Sequence, residues 1–265
     1  YQVGNQKKAL GIEHLLKADY ELEKRVEKNL RIRVLETLGF SFDHVGMYQK
    51  AADYFNKAIE IRNETNQYDD IALIYLEVVF DLVALKKFDE AKLYLDKAKS
   101  FASEIKNKRN RKWFEARTHD AAGQLLMGQG KYREALDDYF LANKIAQEFR
   151  DEDTPKYFNS YIAQCYQKLG DWEKSILFGE KSYKQILKSG GEDWLKINTS
   201  SLLSEVYEKT GQSNRAFDYL KKYRSYIKEK EEQDITNRST NLAIENFTQK
   251  NEQEKAEKKK EKLDL

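Results

Sequence analysis

The stretch GKYREALDDYFLA, from Gly130 to Ala142, sets Ala135, Tyr139 and Ala142 at i, i+4 and i+7. That spacing lays small and apolar side chains along one stripe of a helix and leaves the charged residues on the other faces. The pattern occurs four more times, beginning at Gly46 (GMYQKAADYFNKA), Lys86 (KKFDEAKLYLDKA), Gly170 (GDWEKSILFGEKS) and Gly211 (GQSNRAFDYLKKY). Aligned on the small residues Ala51, Ala91, Ala135, Ser175 and Ala216, successive copies lie 40, 44, 40 and 41 residues apart. Four residues further on come Phe55, Leu95, Tyr139, Gly179 and Leu220; three beyond those come Ala58, Ala98, Ala142, Ser182 and Tyr223.

A second helical pattern precedes each copy. Gly39 and Gly123 lie twelve residues before their anchors, and Val79, Ala163 and Ser204 hold that place in the other units. A small residue there lets two antiparallel helices approach closely. Three residues later a large one, Phe42, Leu82, Leu126, Tyr166 or Tyr207, fills the same seam. Gly46, Gly130, Gly170 and Gly211 stand in the turns, where a helix C-terminus often needs positive φ. Each period therefore predicts a helix–turn–helix unit. One unit cannot bury its apolar face alone, so the units must stack.

This pattern resembles the tetratricopeptide repeat. Unit one matches most fully, with Leu35, Leu38, Gly39, Phe42, Gly46, Ala51, Phe55 and Ala58; unit three supplies Gly123, Gly130, Tyr132, Ala135, Tyr139 and Ala142. The resemblance covers roughly residues 24–230. The period here exceeds the family's ~34 residues, and the family's closing Pro is missing, so the helices are expected to be longer. The resemblance implies an all-α, right-handed superhelical solenoid of five helix pairs, about 21–66, 67–107, 108–152, 153–191 and 192–230. Ala9 lies 42 residues before Ala51, so residues 1–20 read as the second helix of a truncated or capping repeat, and the chain is expected to continue upstream. Residues 231–265 read as a charged connector helix or tail.

That tail carries a second resemblance. TNLAIENFTQKNEQEKAEKKKEKLDL is similar to the segment that follows the repeats in Bacteroidetes membrane-bound regulators. The resemblance implies a membrane span after Leu265, a histidine kinase or helix-turn-helix output beyond it, and repeats acting as a sensor on the periplasmic side. The C-terminal helix would also offer a route to oligomers. Two alternatives stand beside it. One is a cytoplasmic quorum-peptide receptor of the long-repeat Gram-positive type; the other is a scaffold for an unseen catalytic module.

Composition agrees with a helical chain: one Pro and 12 Gly in 265 residues. No apolar run reaches the ~18 residues of a membrane helix. The net charge of +2 comes from 47 basic and 45 acidic residues, which provides no general footprint for nucleic acid. The run KNKRNRK at 106–112 precedes Trp113 and Phe114 but spans an inter-repeat turn, so it reads as solvated. Cys165 is the single cysteine, which excludes an internal disulfide and a cysteine-based zinc site. It is expected to be a buried, inert thiol beside Tyr166. His14, His44 and His119 have no ligand spacing; His119 is expected to pack in a bulky slot and His44 to be exposed. Gly128-Gln129-Gly130 ends a helix and reads as a turn. DEDT at 151–154 reads as a loop, with Thr154 as N-cap and Pro155 opening the next helix. No HExxH, P-loop or GxSxG motif occurs. The expectation is a non-enzyme without metal or cofactor that binds a protein or peptide.

Such a partner would meet the first helices. With the small seam residue counted as position 8, positions 2, 5, 9 and 12 should line the inner wall. Unit two is unusual there, because IALIYLEVVFDLVAL is apolar nearly all round. Either a neighbouring helix or the tail covers it, or Phe40, Leu73, Leu76, Phe80 and Val83 form an apolar docking strip. Met127 extends the strip, and Gln124 and Gln164, both at position 9, could hydrogen-bond an extended backbone. Those eight residues are the candidate site.

Overall fold

The computed structural model describes residues 2–23, 27–65, 71–148, 155–232 and 250, with side chains from Leu10 onward. Helices and short connections make up all of it, with no strand among the described residues. The fold is the all-α stack of helix pairs that the periodicity predicts. The chain divides into two compact units, Tyr1–Thr65 with Glu231–Leu265, and Asn66–Lys230. The first holds α1 (Gln2–Glu23), α2 (Lys28–His44) and α3 (Tyr48–Glu64). The second holds α4 (Ile71–Ala84), α5 (Phe88–Ser100), α6 (Lys108–Gly128), α7 (Tyr132–Glu148), α8 (Pro155–Leu169), α9 (Trp172–Ser189) and α10 (Asp193–Lys209). A last helix, α11, is described over residues 213–232.

The seam inside each pair is built from one small and one large residue. A Cβ added to Gly39 would lie 2.5 Å from the Phe55 ring, and one added to Gly123 would lie 2.7 Å from Tyr139. The aromatic thus occupies the space that a side chain would need. Ala51, Ala58, Ala91, Ala98, Ala135, Ala142 and Ser175 have no exposed surface, and Ala216 is also buried. In the fourth pair the aromatic position is Gly179, and the following repeat fills it: Leu203 lies 2.8 Å from the place of the missing Cβ. Where the seam carries serine, the hydroxyl finds a partner across it. Ser175 Oγ donates to the Ala163 carbonyl at 2.9 Å, and Ser204 Oγ to the Ala216 carbonyl at 2.9 Å. Both bonds satisfy a polar group that burial would otherwise penalise.

The turns share one geometry. The residue after each turn's left-handed position donates back to the helix: Met47 N to Phe42 O, Lys87 N to Leu82 O, Lys131 N to Leu126 O, Asp171 N to Tyr166 O and Gln212 N to Tyr207 O. This is the Schellman arrangement, which needs a positive φ. Gly46, Gly130, Gly170 and Gly211 supply it at φ between 74 and 78°. In the second pair Lys86 takes the place, at φ 60°.

Pro155 opens α8 as expected, while Thr154, its expected N-cap, lies outside the described residues. The charged tail also lies outside them, apart from the end of α11 and residue 250. In the second unit α4 packs on α6 and α8 on α10, while α5, α7 and α9 each pack on the first helix of the next pair. The left-handed turn gives a direct test. Lys86→Gly should stabilise the protein by about 0.5–1 kcal/mol, and Gly130→Ala should destabilise it by about 1 kcal/mol, because a Cβ is strained at positive φ. Urea midpoints of the two variants check both signs.

Candidate partner-binding face

The first helices of the second unit bring most of the candidate residues onto one face. On α4, Leu73, Phe80 and Val83 are half-buried. Leu76 is not part of that surface: it is 0% exposed and belongs to the core. α4 packs on α6, and Leu76 is covered on that side of the helix. Asp120 and Ser160, at the same position of α6 and α8, are also buried, and Ser160 Oγ lies 3.2 Å from Thr199 Oγ1 of α10. The covered reading therefore holds for Leu76, while Leu73, Phe80 and Val83 stay partly open.

Beside Phe80 stands a residue that the inner-wall pattern contained but the candidate list did not. The Arg117 guanidinium lies 4.7 Å from the Phe80 ring centroid and donates to Glu77 Oε1 at 2.5 Å. Phe80 is thus roofed by a cation held in place from its own helix. Glu77 and Arg117 are 40 residues apart, four short of the 44-residue step between their repeats, and have opposite signs. That spacing was the available signal. Arg117 also lies 3.9 Å from Asp120.

The amides are positioned from within their helices. Gln124 Nε2 donates to Asp120 Oδ1 at 3.0 Å, and Gln164 Nε2 to Ser160 Oγ at 3.4 Å. Each amide is tethered by the residue one turn earlier. Met127 is half-buried, and Tyr139 directs its hydroxyl at the Met127 sulfur, 3.9 Å away. An aromatic column continues across the repeats. Tyr161 stacks on Tyr139 at 5.0 Å and on Trp194 at 6.1 Å, and Tyr157 stacks on Trp194 at 6.0 Å. The Tyr157 hydroxyl donates to the Glu192 carboxylate. Trp194 was not a candidate, since it precedes the inner-wall positions of its repeat.

Phe40 belongs to the other unit. It is 47% exposed and meets Phe55 edge-on at 5.0 Å. It borders an open groove of about 580 Å³ with Gly11, Ile12 and Leu15 of α1.

Groups with potential chemistry are engaged in packing. Cys165 is fully buried, and burial pushes its thiol up to about 12. His119 does pack in the seam of the third pair, and it also makes a polar contact, Nδ1 to Asp138 Oδ1 at 2.7 Å. His44 is exposed at the end of α2. Among the described residues no cluster of three or more His, Cys, Asp or Glu could hold a metal ion. No described helix is long and apolar enough to cross a membrane.

Two family models of the tetratricopeptide repeat match the chain, over residues 32–65 and 153–228. The chain carries tetratricopeptide repeats. A search of curated protein sequences returned no significant match. Among solved structures, BtubC (BKLC) from P. vanneervenii is similar at a TM-score of 0.65 and 13% identity, over 86% of this chain and 92% of that one. NprR in complex with its cognate peptide NprX is similar at 0.64 and 16%, over 97% and 76%. A Rap protein complexed with competence and sporulation factor is similar at 0.60 and 16%, over 88% and 73%. At these identities the structures share the tetratricopeptide fold, which is typically a non-catalytic interaction scaffold; neither family match is to a catalytic family.

Two outcomes test the electrostatics of this face and its neighbourhood. Burial is the largest influence on Asp120 and raises its pKa, while Arg117 and Gln124 pull it down. The folded protein therefore holds this proton more tightly than the unfolded chain does. The stability associated with the protonated carboxyl is present in acid and is lost as pH rises through the folded value. Asp120→Asn should leave stability unchanged well below the ordinary carboxylate pKa of about 4 and raise it near neutrality, read as urea midpoints at the two pH values. The Cys165 thiol should resist maleimide labelling at neutral pH in the native protein and react on addition of denaturant.

Proposed function

We propose that the second unit binds a peptide or extended protein segment along its first-helix face, and that this domain is the non-enzymatic sensor or interaction part of a bacterial signalling or transcription regulator. The observation that carries the reading is the order of groups on that face. A partly open apolar strip, Leu73, Phe80 and Val83, gives way to Gln124, Met127 and Gln164 on the next two first helices. An apolar strip can seat side chains, and tethered amides can pair with the backbone between them. Partner binding would alter the packing between repeats, and α11 would carry that change onward.

The cognate peptide in the NprR structure supports peptide recognition by this fold, and a cytoplasmic peptide receptor is the second setting. A periplasmic placement on a membrane-anchored protein rests on the charged sequence of 231–265 alone. Protease accessibility of the full-length protein in spheroplasts separates the two placements.

The binding face itself is tested with an array of immobilised peptides of varied sequence. A subset should bind saturably, and Gln124→Ala with Gln164→Ala should weaken that binding about tenfold, the loss of one or two hydrogen bonds. The fold should be retained, with Gln164→Ala near the parent in thermal stability and Gln124→Ala somewhat below it, because the buried Asp120 carboxylate loses a hydrogen bond. Binding that is unchanged in the double variant would place the peptide elsewhere.

A further inference from the structure

The second helices form the opposite side of the second unit, and there two grooves are equivalent by repeat but unlike in character. The groove flanked by α5 and α7 has a volume of about 490 Å³. Lys92, Lys99 and Lys131 line it together with Asp89, Asp96, Glu134 and Asp138, so the charges nearly balance. Of its apolar lining residues, Leu95, Ala122 and Leu125 are buried and Leu126 is half-buried, so none is exposed. The groove flanked by α9 and α11 has a volume of about 620 Å³ and is lined by Lys181, Lys184, Arg215 and Lys222 against one carboxylate, Glu180. Glu180 already accepts hydrogen bonds from two tyrosine hydroxyls, Tyr207 at 2.6 Å and Tyr219 at 2.9 Å. Two of the cations lie over the tyrosine rings: Lys222 is 4.3 Å from the Tyr219 centroid, and Arg215 is 5.4 Å from that of Tyr207.

Apolar surface accompanies this positive charge. Leu177 is 51% exposed and Leu187 is 67% exposed, both on α9. Leu177, Glu180, Lys184 and Leu187 are spaced i, i+3, i+7 and i+10, which is one stripe of the helix. The two leucines stand about 15 Å apart along the axis, with the lysines between and beside them. Exposed leucines bracketing a surplus of cations on a helical stripe call for apolar contacts about three turns apart with negative charge between.

We propose that the groove between α9 and α11 is a docking surface for an acidic amphipathic helix of another protein, separate from the first-helix face. The leucine stripe seats the apolar side of the partner helix, and Lys181, Lys184, Arg215 and Lys222 pair with its carboxylates. The balanced groove of the earlier repeat lacks both features, so the surface belongs to this end of the array and is not a property of every repeat.

The probe is a fluorescein-labelled helical peptide with leucines at heptad-like spacing and glutamates flanking them, together with a twin in which lysine replaces glutamate. The glutamate peptide should bind the full chain saturably by fluorescence anisotropy, and added salt should weaken it. Lys181→Glu with Lys184→Glu, and separately Leu177→Ser with Leu187→Ser, should each reduce affinity tenfold or more with an unchanged circular dichroism spectrum. Gln124→Ala with Gln164→Ala should leave this binding unaltered. No saturable binding of the glutamate peptide, equal binding of the lysine twin, or unchanged affinity in the charge-reversed variant would each overturn the proposal.

Discussion

Everything in this protein depends on the close approach of two helices at a point where one has almost no side chain. Gly39 beneath Phe55 and Gly123 beneath Tyr139 are the clearest instances, each with an aromatic ring in van der Waals contact with backbone. That contact sets the distance between paired helices, and the left-handed turn sets the connection between them. Once both are set in each period, the relation between neighbouring pairs follows from the same faces. The second unit is therefore a nearly one-dimensional structure, in which each repeat is stabilised by itself and its neighbours.

A one-dimensional structure writes its inter-repeat contacts at separations a few residues short of its period. Glu77 meets Arg117, Ser160 meets Thr199, and Tyr219 meets Glu180, at separations of 40, 39 and 39 residues. Where one repeat lacks a group, the next can supply it, as Leu203 does beside Gly179. The same logic divides the surface. Position 5 is buried on α4, α6 and α8, and positions 2, 9 and 12 of the same helices stay partly open. Leu76 and Phe80 are four residues apart on one apolar helix, yet one is core and the other lies partly open under Arg117.

The two faces then carry different chemistry. The first-helix side offers a mixed strip of apolar groups, tethered amides and one braced guanidinium. The second-helix side at the end of the unit offers leucines among lysines. A chain with a net charge of only +2 can hold a local surplus, because overall balance says nothing about how charges are distributed in space. His119 and Cys165 are engaged in packing, the first with a polar contact to Asp138 and the second in the core.

The periodicity of small and large residues was enough to establish the helix pairs, the seam residues Ala51, Ala91, Ala135, Ser175 and Ala216, and the glycine turns. These are local consequences of helical spacing and of backbone sterics. It was enough also to place Phe80, Gln124 and Gln164 at the same positions of successive first helices. Only the tertiary structure decided that Lys86 takes the left-handed turn without glycine, that Leu76 is covered, and that Arg117 roofs Phe80. It alone brought Leu177, Lys184 and Arg215 to one groove. Burial and pairing between repeats depend on which residues a neighbour forty positions away presents, and that information is not contained in the pattern of any one helix.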